Sequence, residues 1–140
     1  MHITGKCHCG AIGIKGVVDA ENSMACHCTD CQVFSGAPYR AVVICKADNF
    51  SVEGSPKEYV KTADSGNKKI QGFCDQCGTH LFATDVDKNL FMIRVGFLDQ
   101  RDVIKPRKHI FGSSSREWIN SMKDDQWFSL GPNSDVMEPS

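Results

Sequence analysis

Apolar and polar positions alternate along this chain in short runs. Residues 11–18 (AIGIKGVV) interleave apolar with small or polar side chains, and residues 39–45 (YRAVVIC) are rich in β-branched types. Residues 68–73 lead into a cysteine pair, residues 80–84 lead away from it, and residues 90–95 (LFMIRV) read as a buried strand. A period of two over such lengths predicts strands. Turn formers punctuate them: Glu53-Gly54-Ser55-Pro56, Asp64-Ser65-Gly66-Asn67 and Asp85-Val86-Asp87. Two stretches suit helices. Residues 30–35 give a turn or two, stopped by Gly36 and Pro38. Residues 116–122, capped by the serines at 113–115, would put Trp118, Ile119 and Met122 on one face. The pattern predicts a mainly β single domain of short antiparallel sheets with small helical decorations. It spans residues 1–130, and the polar, proline-punctuated residues 131–140 form a flexible tail.

Composition narrows the class. The chain has 140 residues, 41% hydrophobic and 24% charged, the mixture of an ordinary globular domain. A net charge of −1 provides no electrostatic footprint for nucleic acid, so no nucleic-acid partner is expected. No apolar run has the length a bilayer requires, so no membrane partner is expected. The first residues lack the basic-then-apolar order of a secretory signal. The expected location is therefore the cytoplasm, where thiols stay reduced.

Eight cysteines change the picture: Cys7, Cys9, Cys26, Cys28, Cys31, Cys45, Cys74 and Cys77. Disulfide scaffolds belong to exported proteins, and cysteines one or two residues apart suit chelation better than mutual bridging. Cys74-Asp75-Gln76-Cys77-Gly78 reads as a zinc knuckle, with glycine supplying the positive φ of the turn. A closed tetrahedral site needs two more ligands. Cys7-His8-Cys9 can supply them if extended, because positions i and i+2 then face one side. Cys26-His27-Cys28-Thr29-Asp30-Cys31 offers three thiolates of its own. Seven sulfurs divide most naturally as four plus three: four close a structural site, and three leave one position open, as in catalytic zinc. His27, Asp30 or His80 would be the residues to close the second site. An extended backbone, however, points His8 and His27 away from their flanking cysteines. Cys45, alone at the end of an apolar run, reads as a buried, inert thiol.

Three motifs in this order carry a family resemblance: Cys7-His8-Cys9-Gly10-Ala11; Cys26-His27-Cys28-Thr29-Asp30-Cys31-Gln32 with Ser35-Gly36-Ala37-Pro38; and Phe73-Cys74-Asp75-Gln76-Cys77-Gly78-Thr79. They resemble the GFA family, named for the glutathione-dependent formaldehyde-activating enzyme and including the centromere protein V domain. Pro106-Arg107-Lys108-His109-Ile110 followed by Trp118 is similar to its C-terminal signature. The resemblance implies a Mss4-like fold and two zinc ions per chain. The structural ion would sit on Cys7, Cys9, Cys74 and Cys77, and the catalytic ion on Cys26, Cys28 and Cys31. It implies a carbon–sulfur lyase that joins a small thiol such as glutathione to an aldehyde, formaldehyde in the family's name. The alternatives are a zinc-stabilised protein-binding module without catalysis, and redox sensing by the same thiolates.

Gln32, Ser35 and Gly36 follow the third cysteine closely and are the candidate substrate contacts. Arg40 or Arg94 would pair a carboxylate, although a solvated strand arginine is the simpler reading. His109 reads as a hydrogen-bonded structural residue before a proton carrier. Trp118, Trp127 and Phe128 are expected to cover the core. The cluster of Lys105, Arg107 and Lys108 reads as a solvated face.

Overall fold

The computed structural model describes residues 1–139. Its chain is mainly β and folds into two principal sheets. In one, β1 (His2–Lys6), β2 (Gly13–Val17) and β5 (Phe50–Glu53) run antiparallel in the order β1-β2-β5. The other contains β3 (Ser23–Cys26), β4 (Arg40–Lys46), β6 (Lys57–Thr62), β7 (Lys68–Phe73), β8 (His80–Asp85), β9 (Leu90–Arg94) and β10 (Lys108–Ile110). These seven strands lie in the order β10-β3-β4-β9-β8-β7-β6. The sheet is not wholly antiparallel, because β10 runs parallel to β3. A single α-helix, α1 (Thr29–Ser35), connects β3 to β4 and ends at Gly36 in the left-handed region, φ 63°. That stop is the one its glycine predicted.

Side-chain alternation assigns the two faces of the larger sheet different tasks. Register pairs Val43 with Ile93, Cys45 with Phe91, Ile93 with Phe82 and Phe91 with Thr84. This face packs against Ile3, Ile12 and Ile14 from the smaller sheet's side, and the core lies between. Ile3, Val43 and Ile93 are almost completely buried, each such side chain contributing roughly 1.5–3 kcal/mol. Phe50, Phe82 and Phe91 form an edge-on aromatic cluster there. Cys45 belongs to this face, 1% exposed, with its thiol directed at Val17 O and its pKa raised by burial. It is buried, as the sequence indicated.

The opposite face is mixed and carries the buried polar side chains Arg40, Gln71 and Arg94 among apolar neighbours. Register places Cys26 beside Arg40, Val42 beside Arg94, Met92 beside Ala83, and Ala83 beside Gln71. One residue of alternation thus separates core from site.

Beyond residue 115 the structure departs from expectation. The predicted helix is a 3-10 helix over Glu117–Asp124. After it, β11 (Trp127–Phe128) pairs with β12 (Val136–Met137), so part of the segment expected as a loose tail forms a ribbon. Ser140, also in that expectation, lies outside the described residues. Trp118, Trp127 and Phe128 do not cover the core: they are 55, 37 and 36% exposed. The 3-10 geometry and the two-residue strands keep this appendage shallow on the surface.

Candidate active site

Two sulfur clusters form, divided four and three. In the first, Cys7, Cys9, Cys74 and Cys77 have all sulfurs within 4.8 Å of one another. Cys9 Sγ lies 3.7 Å from both Cys7 Sγ and Cys74 Sγ. Zn–S bonds of about 2.3 Å in a tetrahedron require sulfurs about 3.8 Å apart, so the donor set fits zinc as it stands. Local backbone explains the convergence. Cys7 N donates to Ile12 O at 2.9 Å and Cys74 N to Thr79 O at 2.9 Å, closing two matching loops. Gly10 and Gly78 turn those loops with φ of 82° and 77°. Cys7-His8-Cys9 is therefore a turn following β1 and not the extended pair the spacing suggested. The Thr79 hydroxyl, with its own N–H, holds the Cys77 thiol down to about 5. Hydrogen bonding thus favours the thiolate of Cys77, whereas Cys9 in the same cluster is raised to about 11.

The second cluster gathers Cys26, Cys28 and Cys31, again within 4.8 Å. Cys26 ends β3, Cys28 caps α1 by accepting from Cys31 N at 3.3 Å, and Cys31 lies on its first turn. The strand-to-helix corner therefore aims three sulfurs at one point. Among the described residues no histidine or carboxylate joins them. His27 turns away to meet His109, Nε2 to Nδ1 at 2.8 Å. Asp30 pairs with Lys61 Nζ at 2.5 Å. His80 packs between Phe73 and Phe34. Burial pushes the Cys31 thiol up to about 12, with the Cys28 sulfur adding to the effect. Cys28 is lowered in spite of burial by hydrogen bonds from the Cys31 thiol and N–H, by Cys26, and by the positive charge of Lys61.

The trio opens into a cavity of about 650 Å³ on the polar face of the large sheet. Arg40, Gln71 and Arg94 share its wall with the cysteines. Contrary to the simpler reading, neither arginine is solvated: Arg40 is 9% and Arg94 8% exposed. Arg40 also lies over the Phe34 ring, 5.2 Å from its centroid. Strand parity relative to Cys26 was the signal in the sequence that could have found the pair. Gln32, Ser35 and Gly36 are not in the lining. Gln32 Nε2 donates to His27 O and Ser114 O, tying α1 to the loop after β10. Ser35 Oγ donates back to Cys31 O at 2.7 Å, inside the helix. Helical rotation carries both away from the sulfurs. Lys105, Arg107 and Lys108 are exposed, and Arg107 pairs with Glu21.

Fold and clusters together define a mainly β protein with two cysteine clusters that could each hold a metal ion. The model of the glutathione-dependent formaldehyde-activating enzyme family matches residues 2–114, and the chain belongs to that family. An uncharacterized lyase of Schizosaccharomyces pombe is similar, 29% identical over 90 residues covering 64% of this chain. The match spans 63% of that relative's length. A crystal structure of a Rhodobacter sphaeroides protein shares the fold, with a TM-score of 0.58 at 18% identity over 76% of this chain and 98% of that one. Among the described residues no helix is long and apolar enough to cross a membrane.

Proposed function

We propose that this chain is a GFA-type carbon–sulfur lyase that adds a thiol, such as glutathione, to an aldehyde, such as formaldehyde. The observation that carries the reading is the cluster of Cys26, Cys28 and Cys31, without a fourth protein donor among the described residues and open to a cavity. In this reading Cys7, Cys9, Cys74 and Cys77 hold a structural zinc, and the trio holds a second ion. Zinc on three thiolates favours the thiolate of an incoming thiol over its neutral form and, being already charge-compensated, suits thiol chemistry better than water activation.

The residues of the chain do the rest. Cys28 and Cys31, fixed by the first turn of α1, and Cys26, fixed by its pairing with Arg40, hold the reacting end in one place. The cavity wall confines the aldehyde beside it, and proximity alone lowers a bimolecular barrier. In the addition a sulfur–carbon bond forms, the carbonyl π bond breaks, and the thiol proton ends on the former carbonyl oxygen. The reverse reaction is the carbon–sulfur cleavage of a lyase.

The test follows hemithioacetal exchange by NMR with zinc-loaded protein, formaldehyde and glutathione. Acceleration over the spontaneous reaction, lost in Cys28→Ser with an unchanged circular dichroism spectrum, is expected. An exchange rate equal to that of the protein-free mixture would rule the activity out.

A further inference from the structure

The cavity carries polar atoms that the sulfurs do not account for. Among the described residues no carboxylate lies within 4.0 Å of Arg40 or Arg94. Buried guanidinium groups are ordinarily paired, because an unmatched charge away from water is costly. Here two of them share one neutral side-chain oxygen, and Arg94 adds only a 3.5 Å hydrogen bond from Nη1 to Met92 O. Gln71 Oε1 accepts from Arg40 Nη1 at 2.9 Å and from Arg94 Nη2 at 3.0 Å, and Gln71 is only 2% exposed. Both lone pairs of that oxygen are then taken. The Nε atoms of both arginines are buried without a partner. Burial, with Arg40 beside it, holds the Arg94 pKa down to about 9, so Arg94 is still charged at neutral pH.

The trio shares this cavity with the arginines, and thiolate charge on Cys31 and Cys26 favours the charged form of Arg94. That charge does not balance the pair. Three thiolates around a divalent ion sum to one negative charge against two guanidiniums. Lys61, at the same wall, is already matched by Asp30. One positive charge at the cavity wall is therefore left without a counter-charge. Two forks held side by side by one amide oxygen match the planar, two-oxygen face of a carboxylate.

We propose that Arg40, Gln71 and Arg94 form an anion subsite that selects thiols carrying a carboxylate. It deepens the lyase reading and rests on it for the thiol end of the ligand. Gln71 is a positioning residue that sets the two forks, and the arginines make the contact. The function of the subsite is discrimination: a thiol without an anionic group leaves the guanidiniums unpaired and binds less well.

The experiment is calorimetric titration of zinc-loaded protein with glutathione and with glutathione diethyl ester, which has the same thiol and no carboxylate. Glutathione should bind at least about tenfold more tightly, the discrimination of one charge-assisted contact. Arg94→Gln should reduce glutathione affinity by about that factor and leave the ester unchanged. Gln71→Glu gives the arginines a carboxylate of the protein's own. It should raise the melting temperature, which rules out misfolding, and abolish the preference for glutathione. Equal affinities for acid and ester in the wild-type protein would overturn the subsite and leave the arginines as counterions of the thiolates. So would a preference that survives in Gln71→Glu. Selective binding without accelerated hemithioacetal exchange would defeat the lyase reading and keep the subsite; acceleration without selectivity would do the reverse.

Discussion

The sulfurs of Cys9 and Cys74 lie 3.7 Å apart although 65 positions separate them in the chain. Cys9 stands in the turn after β1 of the small sheet, and Cys74 follows β7 of the large one. One ion at this point would fasten the two sheets on either side of the core. Structural zinc contributes binding free energy directly to folding, in amounts comparable to the whole stability of a domain. Cys74→Ser is therefore expected to lose one zinc per chain and to unfold, or to melt roughly 15 °C or more below the wild-type protein. Metal analysis together with thermal denaturation followed by circular dichroism checks both parts. A variant that keeps its melting temperature after losing the metal would show that the core holds the sheets unaided.

Gly72 makes a different demand on the same hairpin. A Cβ built there would lie 2.4 Å from the Phe82 ring, far inside van der Waals contact. Phe82 cannot retreat, because it packs edge-on against Phe50 and Phe91. Gly72→Ala should cost about 1–3 kcal/mol by overpacking. Urea denaturation midpoints measure the loss. Phe82→Leu introduced together with Gly72→Ala should recover part of it, since the clash is with the ring edge.

Much of this architecture was legible in the sequence because its signals are local. Strand β2 follows from an alternating run, β4 from its β-branched residues, β9 from an apolar run, β7 and β8 from the segments flanking the cysteine pair, and α1 from its glycine stop. The division of sulfurs into four and three was suggested by spacing and made specific by the family resemblance. What the sequence did not disclose depends on long-range register. β6 has an almost fully exposed, charged pattern and becomes a strand only by pairing with β7. The pairing of β10 with β3 brings His109 to His27 across 82 positions. Arg40 and Arg94 read as solvated until the order β4-β9-β8-β7 sets both beside Gln71. Gln32 was near the sulfurs in sequence but spent on backbone carbonyls in space.

His80 should make stability depend on pH. Its pKa is lowered from 6.5 by burial first, then by the charges of Arg94 and Arg40. Its Nδ1 is buried without a partner, so a proton gained there would have no acceptor. The unfolded chain, with an ordinary histidine, binds more protons between the folded value and 6.5. Stability is thus fully present above pH 6.5 and is lost as pH falls from there through the folded value. Thiolate protonation acts in the same direction in any variant, so the comparison with His80→Gln isolates the histidine. The melting temperature of His80→Gln should decline less steeply below pH 6.5 than that of the wild type. Parallel slopes would leave the acid sensitivity to the sulfurs and to His27, whose pKa burial also lowers.

Trp118 provides the last test, because the expectation that it covers the core is the one the structure reverses. The side chain is 55% exposed on a 3-10 segment in which no residue is buried. Trp127 is tied locally, its indole N–H donating to Met122 O at 2.9 Å, and its strand pairs only with β12. None of these contacts reaches the two-sheet core, whose members lie between Ile3 and Ile104. Trp118→Ala should therefore change stability by no more than about 0.5 kcal/mol, the range of surface substitutions, where a core tryptophan would cost about 3–5 kcal/mol. Urea denaturation distinguishes the two. A loss in the core range would place the appendage against the domain in solution and restore the reading of Trp118 as a cover.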